Sequence, residues 1–278
     1  MRIGMISDLH LAPDGRSRCT TSPSQLVELI ERLEDLCDEV IVVGDAYDLL
    51  RPRRLRGWRE ELDRFGAQQP EVVRALDRCR LLVGNHDRPL CARGVPEERA
   101  YMSGAMKVLC VHGHQWDVWL KKIWGMEESA NFVAGWLERL HLDGVSRWMG
   151  DVPDVAQRLT LRLRGEQSER CEEDVESPTW QGVREEFDRG FDAIAIGHTH
   201  GLGLWPLQGD ERRLVINTGS HVHDRRDAVV CDLEEQVVWA LRDDRVVQVA
   251  WRAPVSNRWR VSARGEDRFE AHEGALRW

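Results

Sequence analysis

The sequence predicts an α/β protein in which short strands deliver polar side chains to one edge of a sheet. Apolar runs typical of strands alternate with amphipathic helical patterns, which favours layered α/β packing. Five short clusters contain Asp, Asn and His, and almost every one directly follows such an apolar run: Asp8–His10, Asp45–Asp48, Asn85–Asp87, His112–His114 and His198–His200. With 278 residues and 42% hydrophobic content, the chain is long enough for one large domain with its own core.

The first predicted unit is a strand, a helix and a second strand. Arg2–Ile6 predicts the first strand. Ser22 and Pro23 predict the start of the helix, because Ser caps helix N-termini and Pro is favoured in the first turn. Val40–Val43 is an unbroken apolar run, as expected for a strand covered on both faces. Apolar residues recur at helical spacing between the two strands: Leu26, Leu29, Ile30 and Leu33.

The next elements follow from the same patterns. Trp58–Leu76 predicts a helix that is interrupted near Gly66 and Pro70. Three further strands are predicted at Arg80–Val83, Met106–Val111 and Asp192–Ile196. Four later runs have short polar connections, which predicts an antiparallel series: Leu214–Asn217, Ala228–Asp232, Val237–Leu241 and Val246–Trp251.

Two segments stand apart from this single domain of residues 1–278. Residues 115–170 predict a helical insertion that caps the strand ends, followed by a helix that Ser177 and Pro178 open. Five of the twelve Trp lie between 116 and 148, so the insertion is either a small satellite core or an apolar lid over a lipid or aromatic substrate. Residues 252–278 are charged and without periodicity, which predicts an extended or poorly ordered C-terminal arm.

Composition and charge exclude several classes of protein. The net charge of −9 argues against general nucleic-acid binding. No apolar run approaches the roughly 20 residues of a membrane span, and no secretory signal is visible. Seven Cys, an odd number with no Cys-x-x-Cys pair, fit a reducing compartment. We therefore expect a cytoplasmic protein, and the sequence leaves its oligomeric state open.

The five clusters predict a centre of two metal ions. Asp8 and His10 lie two residues apart, as do His198 and His200, so each pair can point the same way from an extended segment. Two ions that share one carboxylate suit in-line phosphoryl displacement at a separation of ~3.5–4 Å. The mixed oxygen and nitrogen donors favour Mn, with Fe or Zn as alternatives, over Ca or Mg. The candidate ligands are Asp8, His10, Asp45, Asn85, His112, His198 and His200.

The order D-x-H, G-D-x-x-D, G-N-H-D, H-G-H, G-H-x-H resembles the signature of calcineurin-like metallophosphoesterases, from Asp8 to about Ser220. The resemblance implies a four-layer fold, a two-sheet β-sandwich flanked by helices. It implies that His86 protonates the leaving oxygen or stabilises phosphoryl charge, and that Asp87 orients His86. It also assigns the ligands: Asp8, His10, Asp45 and His200 to the first metal, and Asp45, Asn85, His112 and His198 to the second.

Ser7–Leu11, the helical insertion and Asn217–Ser220 also resemble the branch of UDP-2,3-diacylglucosamine hydrolases, which cleave a lipid-nucleotide pyrophosphate under a helical lid. The chain departs from that branch at His86, where Arg is common, and at His114, where Asp is frequent. Because of these departures, we treat this branch as related to the chain and do not assign the chain to it.

We expect a dinuclear metal-dependent hydrolase in which a metal-bridging hydroxide attacks the phosphorus of a phosphate ester or pyrophosphate. The expected partner is a phosphorylated small molecule or a lipid nucleotide, with peripheral membrane contact through the insertion as an option. A non-catalytic protein-binding scaffold is the alternative from another class. Some residues have open roles: Asp48 beside the site or at a helix start, His114 on phosphate or in solvent, and Arg51, Arg53, Arg54, Arg56 and Arg59 on an anionic substrate or in solvent.

Overall fold

Two β-sheets packed face to face form the centre of the molecule, with helices on both outer faces. The structure is a computed structural model that describes residues 1–50, 52–54, 57–104, 106–116, 178–222, 224–264 and 276. One core cluster lies between the sheets, and two others lie between each sheet and its helices. This is the four-layer α/β sandwich that the family resemblance implies.

The larger sheet has seven strands in the described part of the chain, namely β1 (Arg2–Ile6), β2 (Glu39–Val42), β3 (Arg80–Leu81), β9 (Asp227–Asp232), β10 (Val237–Arg242), β11 (Arg245–Ala253) and β12 (Arg258–Ala263). Their order across the sheet is β12-β11-β10-β9-β1-β2-β3. β1 pairs in parallel with β2 and antiparallel with β9, so the N-terminal strand lies inside the sheet.

The smaller sheet has five strands in the described part of the chain, namely β4 (Glu98–Ser103), β5 (Met106–Val111), β6 (Ala193–Ile196), β7 (Gly203–Leu207) and β8 (Asp210–Asn217). Their order across the sheet is β4-β5-β6-β8-β7. The central strands β5, β6 and β8 run parallel to one another, and an antiparallel strand closes each edge.

Among the described residues, three α-helices cover the larger sheet and a fourth packs on the smaller one. α1 (Pro23–Leu36) starts with the predicted cap, a capping box in which Ser22 and Gln25 bond each other's backbone N–H groups. α2 (Trp58–Gln68) and α3 (Pro70–Leu76) divide the predicted Trp58–Leu76 helix just before Pro70. α4 (Pro178–Asp188) buries Val183 and Phe187 against the smaller sheet.

The predicted antiparallel series is wrong for its first member and incomplete at its end. β8 belongs to the smaller sheet, where it pairs in parallel with β6, so the antiparallel series starts at β9. The series extends to β12, which occupies part of the predicted C-terminal arm. Trp259 is buried there and Val261 packs against the same core cluster, so apolar residues alternate with Arg258, Arg260 and Ser262 along this strand. Strands β4 and β7 were not predicted.

The helical insertion predicted at 115–170 lies outside the described residues beyond Trp116, and so does most of the chain after 264. Trp116 itself is buried against α4. Within the described part of the chain, no helix combines the length and apolar character needed to cross a membrane.

Candidate metal centre

The candidate ligands converge where strands of both sheets end. Asp8 and His10 follow β1, Asp45 follows β2 and Asn85 follows β3 in the larger sheet. His112 follows β5, while His198 and His200 follow β6, in the smaller sheet. The carboxyl ends of these parallel strands lie at one edge of the sandwich, which is why residues far apart in sequence meet there.

One group of donor atoms is formed by Asp8, His10 and His200. Nε2 of His200 lies 3.2 Å and Nε2 of His10 lies 3.7 Å from Oδ1 of Asp8. The two imidazole nitrogens are 3.4 Å apart. Oδ1 of Asp8 is buried without a hydrogen bond, as is Nδ1 of His10. Three donor atoms thus face one point, the arrangement of ligands around an ion.

A second group is formed by Asp45, His112 and Asn85. Nε2 of His112 lies 3.3 Å from Oδ2 of Asp45 and 3.3 Å from Oδ1 of Asn85. Nδ1 of His112 donates to the carbonyl of Val43 at 2.9 Å, and this bond turns Nε2 toward the centre. Oδ2 of Asp45 is also 3.8 Å from Nε2 of His10, so this carboxylate faces both groups.

His198 lies beside the second group. Its ring centroid is 5.3 Å from that of His112, and its backbone N–H donates to Oδ2 of Asp8 at 3.1 Å. The His198 ring therefore lies beside the second group and the His200 ring lies in the first group, although the two residues are two positions apart. All seven predicted ligands lie within this one region of the molecule.

Five of these residues have a backbone conformation that the prediction did not foresee. The φ angles are positive at Asp8 (53°), His10 (47°), Asp45 (54°), His198 (63°) and His200 (59°). The segments Asp8–His10 and His198–His200 are therefore not extended, although the prediction assumed that they were. A left-handed residue other than Gly costs about 1–3 kcal/mol, and such strain clusters at functional sites.

The electrostatics of the centre favour bound positive charge. Burial disfavours the charged form of His112, but Asp45 and Asp8 outweigh it and raise the pKa of His112 to about 10. The pKa of His10 is also raised, because Asp8 and Asp45 outweigh its burial. Burial opposes ionisation of Asp8, yet the surrounding imidazoles hold its pKa well below the usual range. The buried carboxylates thus stabilise positive charge on the neighbouring imidazoles. Bound divalent cations would neutralise the same negative charge.

The donor set fits divalent metal ions. Ligands about 2.0–2.2 Å from one ion lie roughly 3–3.6 Å apart at ordinary coordination angles. The separations of 3.2 Å and 3.3 Å between imidazole nitrogens and carboxylate oxygens agree with this spacing. Asp8, Asp45 and His112 also form a mutual group, so the two halves of the centre are continuous.

His86 faces the centre from the loop after β3, but its carboxylate partner differs from the prediction. Nδ1 of His86 lies 3.3 Å from Oδ1 of Asp48, whereas Asp87 accepts the backbone N–H groups of Gly84 and Tyr47 at 2.7 Å and 3.3 Å. Asp87 therefore shapes the loop, and Asp48 is the residue that orients His86. The family resemblance assigned this role to Asp87, but the Asp87 carboxylate bonds backbone N–H groups of its own loop and of the loop after β2 instead.

Of the other candidate residues, His114 is buried, whereas Arg53 and Arg54 form ion pairs with acidic side chains. His114 is buried beside the His112 ring, and burial lowers its pKa to about 3. His221, which had no predicted role, is buried with its ring nitrogens on Thr21 and Asp227. Arg53 forms an ion pair with Asp14, and Arg54 with Glu60. Arg51 and Arg56 lie outside the described residues.

The chain matches one family of known proteins. Residues 1–202 match the family model of the calcineurin-like phosphoesterases. No curated protein matches the chain.

Several solved structures are similar to the chain at low identity. A conserved protein of Streptococcus pneumoniae, described as a predicted phosphoesterase, is 16% identical, with coverage of 95% of this chain and 97% of that chain and a TM-score of 0.42. An archaeal phosphodiesterase is 14% identical (87% and 99%; TM-score 0.43). Zinc-complexed Vps29 of Entamoeba histolytica is 13% identical (94% and 97%; TM-score 0.43).

Proposed function

Because the chain belongs to the calcineurin-like phosphoesterase family, we propose that it is a two-metal hydrolase of phosphate ester or pyrophosphate bonds. The observation that carries this proposal is the position of Asp45, whose Oδ2 faces His10 on one side and His112 on the other. A carboxylate between two sets of donors is suited to bridging two ions. The proposed ligands are Asp8, His10, Asp45 and His200 for one ion, and Asp45, Asn85, His112 and His198 for the other.

Two bound divalent ions would supply Lewis acidity to the phosphoryl group and acidify the attacking water. The protein itself fixes the positions of the donors. The Val43 carbonyl selects the tautomer of His112, and the Gly84 loop donates the backbone N–H of His86 to Oδ1 of Asp45 at 2.8 Å. These bonds pre-organise the site, so little rearrangement is needed when substrate binds.

His86 is the proposed general acid. Asp48 only accepts hydrogen bonds, so Nδ1 of His86 donates to it and Nε2 is left for the substrate. Burial lowers the pKa of His86, with Asp45 and Asp48 opposing that effect. In its protonated form His86 carries a second proton on Nε2, and the lowered pKa makes this imidazolium a stronger acid, which transfers that proton to the leaving oxygen.

The proposed substrate is a phosphorylated small molecule, with a lipid nucleotide pyrophosphate as the narrower option. The narrower option depends on the insertion, most of which lies outside the described residues. Mn is the metal that we propose first, with Fe or Zn as alternatives, because mixed imidazole and carboxylate donors suit these ions.

The test is metal-dependent turnover by purified protein. Metal-depleted protein is loaded with Mn²⁺, Fe²⁺ or Zn²⁺ and assayed on aryl phosphomonoesters and phosphodiesters, pyrophosphates, nucleotides and an acylated UDP-glucosamine. We expect two equivalents of metal and turnover on part of the panel. Asp45→Asn and His86→Ala should remove most turnover, whereas the surface control Ser103→Ala should retain it. Full metal loading without turnover on any substrate would support the scaffold alternative instead.

A further inference from the structure

The two oxygens of Asp8 have different surroundings. Oδ2 accepts two hydrogen bonds, from Ser7 Oγ at 2.5 Å and from the backbone N–H of His198 at 3.1 Å. Oδ1 has no hydrogen bond and lies near the imidazoles of His10 and His200. One oxygen is therefore held by the protein, and the other is presented to the centre.

A second hydroxyl lies behind Ser7. Oγ1 of Thr218 lies 2.7 Å from Oγ of Ser7. Asp8 can only accept, so the single proton of Ser7 goes to the carboxylate and Ser7 in turn accepts from Thr218. Ser7, Asp8 and Thr218 are all fully buried, and hydrogen bonds of this kind are stronger away from water.

Each hydroxyl also has another acceptor within reach. Ser7 Oγ lies 3.0 Å from the carbonyl of Gly219, and Thr218 Oγ1 lies 3.0 Å from the carbonyl of Ile196. Backbone carbonyls alone could therefore satisfy both groups. The negative charge of Asp8 makes its carboxylate the stronger acceptor, which directs the chain of bonds toward the centre.

This chain of bonds joins the two sheets. Ser7 follows β1 in the larger sheet, and Thr218 follows β8 in the smaller one. His198, which bonds the same Asp8 oxygen, follows β6 of the smaller sheet. Donors from the smaller sheet therefore determine how a carboxylate of the larger sheet is oriented.

We propose that Ser7 and Thr218 are positioning residues that hold the Asp8 carboxylate and thereby set the affinity of one metal site, the one formed by Asp8, His10, Asp45 and His200. This inference rests on the proposed function, since it concerns ions in the same centre. The second site lacks Asp8 as a ligand, so the hydroxyls act on the first site selectively. Outer hydrogen-bond partners of metal ligands typically change metal affinity by about 10–100-fold.

The test measures Mn²⁺ binding to the metal-depleted full chain by titration calorimetry, together with thermal unfolding in EDTA. For Ser7→Ala we expect one of the two equivalents to bind about 10–100-fold more weakly, while the other changes by less than about threefold. The metal-free midpoint should stay within about 4 °C of wild type, because Thr218 can donate to Ile196 and Asp8 keeps the His198 N–H.

Further variants separate positioning from packing. Thr218→Val should weaken the same equivalent by a smaller factor, and Thr218→Ser should restore wild-type affinity because it keeps the hydroxyl. Ser103→Ala, which removes a hydroxyl from the surface, should change neither equivalent. Affinities in Ser7→Ala that equal those of wild type would overturn the inference. So would equal weakening of both equivalents with a lower metal-free midpoint, which is the behaviour of a structural role.

The two proposals fail in different ways. A wild type that binds two Mn²⁺ but hydrolyses no phosphoester contradicts the proposed function alone, because the positioning role is measured by metal affinity. An active wild type whose affinities are insensitive to Ser7→Ala contradicts the positioning role alone. A wild type that binds none of Mn²⁺, Fe²⁺ and Zn²⁺ overturns both.

Discussion

Substitution of Gly84 by Ala should disable the centre without a change in any ligand. A Cβ at residue 84 would lie 2.1 Å from Oδ1 of Asp45 and 2.6 Å from its backbone N. Because real Cβ contacts essentially never fall below 3.0 Å, the carboxylate oxygen must retreat by about 0.9 Å. Rotation of the Asp45 side chain does not solve the clash, since the backbone N is also too close.

A displacement of this size acts on the carboxylate that we propose to bridge two ions. It also disturbs the bond of 2.8 Å from the His86 N–H to Oδ1 of Asp45. A misplacement of about 1 Å can cost about 100-fold in rate. We therefore expect kcat/KM of Gly84→Ala to fall by about 100-fold or more, with a loss of folding stability of about 1–3 kcal/mol from overpacking.

The matched control is Gly66→Ala in α2, where the added Cβ would meet no atom closer than Val73 at 4.0 Å. Ala in a helix interior is favoured over Gly by about 0.5–1 kcal/mol, so this variant should be fully active and slightly more stable. The assay is Mn²⁺-dependent turnover and metal stoichiometry on samples whose folded fraction is checked by circular dichroism. Wild-type turnover in Gly84→Ala with two bound metals would refute the reasoning.

Three further predictions concern groups around the centre. Asp48→Asn should lower kcat by about 10–100-fold while both metals still bind, because it leaves His86 without its anionic partner; an unchanged kcat would contradict that role. Arg242→Met leaves the fully buried Asp227 without its cation at 2.7 Å and, because Arg242 is partly exposed, should cost about 1–3 kcal/mol in urea unfolding, whereas a loss below the error of the fit would mean that water replaces the arginine. Burial lowers the pKa of His221 to about 4, so the stability it contributes is fully present above about pH 6.5 and is lost as the pH falls through 4. In EDTA, the difference in unfolding free energy between wild type and His221→Gln should shrink by about 3 kcal/mol over that window, and a constant difference would exclude this linkage.

The sequence predicted that the candidate side chains would meet, because residue type and strand ends are both local signals. Seven candidate ligands and His86 follow predicted strands, and the structure brings them to one edge of the sandwich. The left-handed conformations at Asp8, His10, Asp45, His198 and His200 could not be predicted, since non-Gly residues rarely adopt them without help from neighbouring loops.

Errors arose where the answer depends on long-range contacts. Connection length suggested that β8 pairs with β9, but the order of strands across two sheets is not encoded in loop length. The burial pattern of β4 shows only Tyr101 fully covered, so its alternation is hidden among charged residues. The choice between Asp48 and Asp87 as the partner of His86 likewise depends on side-chain direction, which sequence spacing does not give.

Gly44, Gly84 and Gly197 share one physical reason for being glycine. At each of them, a side chain from a neighbouring loop lies where a Cβ would be. A Cβ on Gly44 would lie 2.4 Å from Nδ1 of His112, and one on Gly197 would lie 2.7 Å from Oδ2 of Asp8. Gly84 faces Asp45 in the same way, and each of these glycines directly precedes a candidate ligand of its own. Each loop therefore contributes at least one candidate ligand and leaves room for a candidate ligand of another loop. Since loops from both sheets interlock in this manner, a side chain added at any of the three glycines should affect ligands on a different strand, so Gly44 and Gly197 should be as sensitive to Ala as Gly84.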